Sequence, residues 1–142
     1  VAALLAPLAP IADGRADLVI GSRALGERLG LVEPGAMTNA QRFGNALATT
    51  LLRVGYAHHA TDLGPFRAVR VDALDRMRMD DRNFGWTVQM QARAALLHMR
   101  VVEVPVHYRR RRTGRSKVSG DVRASLKAGA VILSTLARER FR

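Results

Sequence analysis

The chain has 142 residues, 48% of them hydrophobic, which is enough for one ordinary core and too few for several. Lys and Arg number 23 against 12 Asp and Glu, and the resulting charge of +11 selects anionic partners: nucleic acid, acidic lipid headgroups or phosphorylated substrates. Cysteine is absent, which excludes disulfides and thiolate metal sites, and no apolar run reaches the ~18 residues of a membrane span.

Residues 1–8 read as the body of an apolar helix with no start signal before it, so we expect natural chain upstream of Val1. Residues 16–21 (ADLVIG) follow an Asp-Gly turn and are rich in branched residues, the pattern of a buried parallel strand. Residues 22–37 are Gly-rich, contain Pro34 and read as a long connecting loop. Thr38 is a candidate N-cap for an amphipathic helix over 39–56, with Phe43, Leu47, Leu51 and Val54 at helical spacing and Arg42 and Arg53 at the sides. A strand is predicted over 66–71, a short helix capped by Asp72 through about Arg78, and a longer helix over 84–99 with Val88, Ala92, Ala95 and Leu96 sharing a face. Residues 101–108 (VVEVPVHY) alternate as a strand does, with Pro105 favouring an edge. The charged, aperiodic 109–120 segment reads as a loop, and a final helix runs from Asp121 towards Phe141 with Val122, Leu126, Leu133 and Leu136 on one side. Strands interleaved with helices predict an α/β architecture in one domain.

Three constellations carry possible chemistry. In Thr61-Asp62-Leu63-Gly64-Pro65-Phe66-Arg67, a Gly-Pro turn between a carboxylate and a strand can hold Asp62 in a fixed direction at a strand edge, or serve only as a capped turn. In the 109–117 run (RRRRTGRSK), Arg forks and a Lys point charge around Gly114 suit phosphate oxygens; the same run also suits a solvated loop or a nucleic-acid patch. In the 84–91 run (FGWTVQMQ), the single Trp, Trp86, can floor a sugar site with Gln89 one turn on, or sit in a core. His58 and His59 are adjacent and point apart, His98 and His107 lack an obvious partner, and none of the four is assigned a catalytic or metal role.

The order and wording of these segments, ADLVIGSR, then an Arg-bearing helix, TDLGPFRAVR, FGWTVQMQ, VVEVPVHYR and GRSKVSG, resemble family 2 glycosyltransferases of the dolichol- or polyprenyl-phosphate-mannose-synthase kind. The resemblance spans nearly the whole chain. It implies the C-terminal, acceptor-side half of a three-layer GT-A-type domain. The N-terminal half, with an Asp-x-Asp motif holding Mg²⁺ or Mn²⁺ on the donor pyrophosphate, would precede Val1, so the metal's ligands lie outside this chain and the chain alone should not turn over. By the same likeness Arg23 and Arg42 match positions facing an acceptor phosphate, Arg111, Ser116 and Lys117 match a loop covering the phosphates, and Asp62 and Arg67 match a motif near the transferred sugar. Where relatives commonly have Glu in the GWTVEM pattern, this chain has Gln89, which cannot act as a base.

The function these expectations imply is an inverting transfer of a sugar from a nucleotide-sugar to a polyprenyl phosphate at the inner, cytoplasmic face of the membrane. The helices over 39–56 and 122–141 would rest peripherally on anionic lipid. With a sugar or glycan hydroxyl as acceptor, a general base is needed and Asp62 is the candidate. A basic module binding nucleic acid through 109–117 is the alternative of another class; only 5% aromatic residues and no nucleic-acid motif argue against it.

Overall fold

A run of branched apolar residues without polar alternation cannot leave either face in water, and the run beginning at Ala16 becomes the central strand of a sheet. The computed structural model describes residues 8–83, 85–110, 112 and 122–141, without the side chains of 122–126 and 128. Its elements are α1 (Ala9–Ala12), β1 (Leu18–Ser22), α2 (Arg23–Arg28), α3 (Asn39–Tyr56), β2 (Arg67–Val69), α4 (Val71–Met77), α5 (Trp86–Leu96), β3 (Val101–Pro105) and α6 (Val122–Arg140). β1 is buried throughout and lies between β2, antiparallel, and β3, parallel. The register sets Ile20 opposite Arg67 on one side and Glu103 on the other. The result is a mixed α/β fold around a small three-stranded sheet with β3, and its Pro105, at an edge.

Helices α4 and α5, with α3 and α6 behind α5, stack in depth on one face of this sheet. Leu18 and Ile20 pack against Met77 of α4 and Met90 and Ala94 of α5. On its far side α5 meets α3 and α6 through Val88, Ala92, Leu52 and Leu136. A helix held between two layers is buried nearly all round, so its polar residues must find partners inside. Gln89, Gln91 and Arg93 are all buried. Arg93 pairs through Nε with Glu139 of α6 at 2.7 Å and donates to the Met77 carbonyl at 2.7 Å. Burial alone pushes the Glu139 carboxyl up, but hydrogen bonds from Arg93 and Gln89 and the Arg93 charge outweigh it and hold it below the usual range. The Tyr56 hydroxyl donates to the Leu136 carbonyl, fastening α3 to α6.

Several expectations need correction. The 22–37 stretch is not all loop: Ser22 caps α2, whose Gly26 lies so close to the Val106 backbone that a side chain would not fit. Asp72 does not cap α4; the N-cap is Arg70, and Asp72 in the first turn pairs with its guanidinium at 2.8 Å. The expected apolar face of α3 is largely in solvent, with Phe43 72% and Val54 78% exposed, while Ala48 and Leu52 are buried. Leu96 of α5 and Leu133 of α6 are likewise exposed rather than packed. Residues 1–7 of the expected apolar helix and the basic segment over 113–117 lie outside the described residues.

Candidate functional site

The site is assembled at the end of β1. Ser22 is buried, and its Oγ accepts from the Leu25 N–H at 3.1 Å, starting α2 with Arg23 as its first residue. Asp62 comes from the turn before β2. Its carboxylate accepts from Arg23 N at 2.7 Å, Arg23 Nε at 2.8 Å, Arg23 Nη2 at 2.7 Å and Gly64 N at 3.0 Å. The Asp62 side chain is 0% exposed and that of Arg23 11%. Burial by itself raises the Asp62 carboxyl, yet the Arg23 hydrogen bonds and charge, with the Gly64 and Arg23 N–H groups, hold it below the ordinary carboxylate range. For Arg23 burial works against the cation, and Asp62 outweighs it and raises the guanidinium.

The turn itself is tightly braced. Gly64 has φ +27° and lies where a Cβ would come within 2.5 Å of the Gly21 carbonyl oxygen, so glycine is required there. Asn45 of α3 donates to the Thr61 carbonyl at 3.1 Å and accepts from Leu63 N at 2.9 Å. Gln91 of α5 donates to the Asp62 carbonyl at 3.0 Å. Arg67 is spent on the same turn: it donates to the Gly64 carbonyl at 2.8 Å, to the Thr87 carbonyl at 2.7 Å and to the Leu63 carbonyl. Burial pushes the Arg67 guanidinium down to about 10, against the pull of Asp62, so it stays charged at neutral pH.

The remaining sequence-predicted residues divide. Arg42 is exposed on α3, one turn before Asn45, and forms a two-pronged pair with Glu27 of α2 at 2.7 Å. Surface pairs of this kind are weak, which leaves Arg42 open to exchange Glu27 for another anion. Trp86 is 37% exposed at the start of α5, next to the Thr87 carbonyl that holds Arg67. Gln89 is not brought to the site. It is buried, its Oε1 accepts from Asp81 N at 3.0 Å, and its amide nitrogen donates to Glu139 at 2.8 Å and to Asp80. Arg111, Ser116 and Lys117 lie outside the described residues.

Sequence reasoning missed Tyr108, whose ring lies 5.4 Å from the Arg23 guanidinium carbon, a cation–π distance. It also missed the cavity of about 290 Å³ that Arg23 and Tyr108 share with Gly21, Pro65, Phe66, Val106 and His107. Its walls are mainly apolar, and Arg23 sets a cation in one of them. Beyond Tyr108 the chain enters the basic run: Glu33 N donates to the Tyr108 carbonyl at 2.9 Å, and Arg110 N donates to the Glu33 carboxylate at 2.8 Å. Among the described residues no three His, Cys, Asp or Glu side chains come together as a metal-binding group.

His58, at the close of α3, is half-buried, and burial pushes its imidazole below the ordinary range while a contact with Gln91 opposes the shift. Gln91 in turn holds the Asp62 carbonyl. The unfolded chain takes up a proton near pH 6.5 that the folded one still refuses. Stability is therefore expected to fall as pH drops from about 6.5 and to level off below the folded pKa. Urea midpoints at pH 7.5 and 5.5 measure this, and His58→Gln should abolish the difference.

No family profile matches the chain, and no solved structure matches it significantly. Curated sequences do. An uncharacterized glycosyltransferase of Mycobacterium tuberculosis (strain ATCC 25618 / H37Rv) is 36% identical over 114 residues, covering 80% of this chain and 50% of the relative. One of Mycobacterium bovis matches to the same extent. An undecaprenyl-phosphate mannosyltransferase of Micrococcus luteus is 33% identical over 114 residues, 75% of this chain and 44% of the relative. The chain is thus similar over most of its length to glycosyltransferases, and it spans about half the length of the curated relatives it matches.

Proposed function

We propose that this chain is the acceptor-side, C-terminal part of a family 2, GT-A-type inverting glycosyltransferase that moves a sugar from a nucleotide-sugar to a polyprenyl-phosphate-type lipid. The observation that carries the choice of acceptor is Asp62. A general base needs a free lone pair facing the proton it takes and a pKa near the working pH. The Asp62 carboxylate is out of solvent, accepts four hydrogen bonds, and is held in its ionised form. It orders a cation instead of collecting a proton. An acceptor phosphate needs no base, since its second pKa is about 6 and it is already a nucleophile near neutral pH. The protein then contributes position and charge: Arg23 for the phosphate, and the apolar cavity beside it for the first carbons of the lipid. A hydroxyl acceptor would require Asp62 to leave Arg23 first.

In this reading the donor and its Mg²⁺ or Mn²⁺ are held by residues outside this chain. The protein rests peripherally on the inner face of the cell membrane. Phe43, Val54 and Phe141 are 72%, 78% and 89% exposed beside Arg53 and Arg140, a mixture that suits an anionic interface. No described helix is long and apolar enough to cross a membrane. The complete protein, given labelled nucleotide-sugar, should pass label into the organic phase only when a polyprenyl phosphate is supplied. Label appearing on a free sugar or glycan hydroxyl, with none on the lipid phosphate, overturns the proposal.

A further inference from the structure

The hydrogen bonds behind the Arg23–Asp62 pair run in one direction. Glu103 of β3 accepts at its carboxylate from Thr61 N at 2.9 and 3.1 Å, from Asp62 N at 3.2 Å and from Thr61 Oγ1 at 2.7 Å. A carboxylate has no proton to return, so the Thr61 hydroxyl hydrogen is committed to Glu103. Ser22 Oγ lies 2.7 Å from Thr61 Oγ1 and must then be the donor of that bond. Ser22 in turn accepts from Leu25 N at 3.1 Å. Every proton in the series Leu25 N–H, Ser22, Thr61, Glu103 has one place to go.

The two hydroxyl residues in this series immediately precede the two members of the pair: Ser22 before Arg23, Thr61 before Asp62. We propose that Glu103 is a positioning residue for the candidate site, which sets from behind where the Arg23 guanidinium and the Asp62 carboxylate emerge. Its place on β3 opposite Ile20, two residues before Ser22 on the strand from which Arg23 departs, brings it within reach of the Thr61–Asp62 turn. The hydrogen bonds of Glu103 go to Thr61 and to the Asp62 backbone rather than to either member's side chain. It acts through the Thr61 and Asp62 backbone and the two hydroxyls.

The inference rests on the proposed function only where transfer is the readout, and a second readout is independent of it. An Arg Nε–H bonded to a carboxylate is shielded from exchange with water, and Arg23 Nε donates to Asp62 at 2.8 Å. In the complete protein with ¹⁵N-labelled arginine, the Arg23 Nε–H should exchange at least about tenfold faster in Glu103→Gln, because the new amide sets a donor against the Thr61 donors. Thr61→Val, which keeps the shape and removes the hydroxyl, should do the same, and Thr61→Ser should exchange at the native rate. Lipid-phosphate transfer per folded molecule should fall with the exchange protection, and the double variant Thr61→Val/Glu103→Gln should be no worse than either single one. Native Arg23 exchange in both Glu103→Gln and Thr61→Val overturns the proposal; so does faster exchange with undiminished transfer. Should Glu103→Gln not fold, Thr61→Val decides. Absence of lipid-phosphate transfer by the unaltered protein counts against the proposed function, and the exchange rates then decide on Glu103.

Discussion

Asp62→Asn is expected to destabilise the fold by about 3–5 kcal/mol, because it leaves the Arg23 guanidinium, 11% exposed, without its counter-charge. Arg23→Gln should cost a similar amount by stranding the carboxylate. The double variant should cost clearly less than the sum, since neither charge is then left alone. Urea unfolding of the four proteins measures the coupling. The acid limb gives a second check. A carboxylate whose folded pKa is depressed adds stability that is complete above its unfolded value of about 3.9 and is lost as pH falls through the folded one. Asp62→Asn should therefore be less sensitive to acid below about pH 4 than the native chain. The same variants bear on mechanism. If Asp62 orders Arg23, both single variants should lose sugar transfer together. A general base would instead give an Asp62→Asn protein that is inert per folded molecule while Arg23→Gln still turns over.

Glu139→Ala is expected to destabilise the fold by about 3 kcal/mol, because Arg93 loses its buried partner and is left with Asp80, 43% exposed, at 3.0 Å. Arg93 and Glu139 have side chains 9% and 2% exposed, and the pair joins α5 to α6. Removing the carboxylate leaves the Arg93 Nε–H without its acceptor and takes an acceptor from Gln89. The combined Arg93→Met/Glu139→Leu variant should recover most of the loss, because an apolar pair of similar volume avoids burying either charge. Urea midpoints test both statements. Limited proteolysis should show earlier cutting within α6 in Glu139→Ala than in the double variant.

How much was legible in advance follows from the reach of each signal. α3 runs over the predicted 39–56, capped by Thr38 with Gln41 closing a capping box, because a cap is an arrangement of residues three apart. The strand begun by Ala16 was readable from its composition, to within two residues at its start and one at its end. The short helix after Ser22 was not, since its cap lies inside a Gly-rich stretch that looks like loop on composition. On α3, Phe43, Leu47 and Val54 make the stronger apolar stripe by size, and the side that packs carries Ala48 and Leu52. Periodicity identifies a stripe, not which stripe faces the neighbour.

Asp62 and Arg23 were both picked out as candidates, the first as a residue near the transferred sugar and a base only for a hydroxyl acceptor, the second as a phosphate ligand. Their bond joins residues 39 apart, and nothing local in either segment announces the other. Gln89 illustrates the same limit: one turn from Trp86 it reads as a polar group beside an aromatic floor, but α5 lies between two layers and turns it inward to Asp80 and Glu139. Caps, strands and the Gly64 turn were written locally, since hydrogen bonds and backbone angles within three or four residues suffice to make them. Partners across the molecule follow from strand register and helix stacking, where burying apolar surface brings distant polar groups together and forces them to satisfy one another.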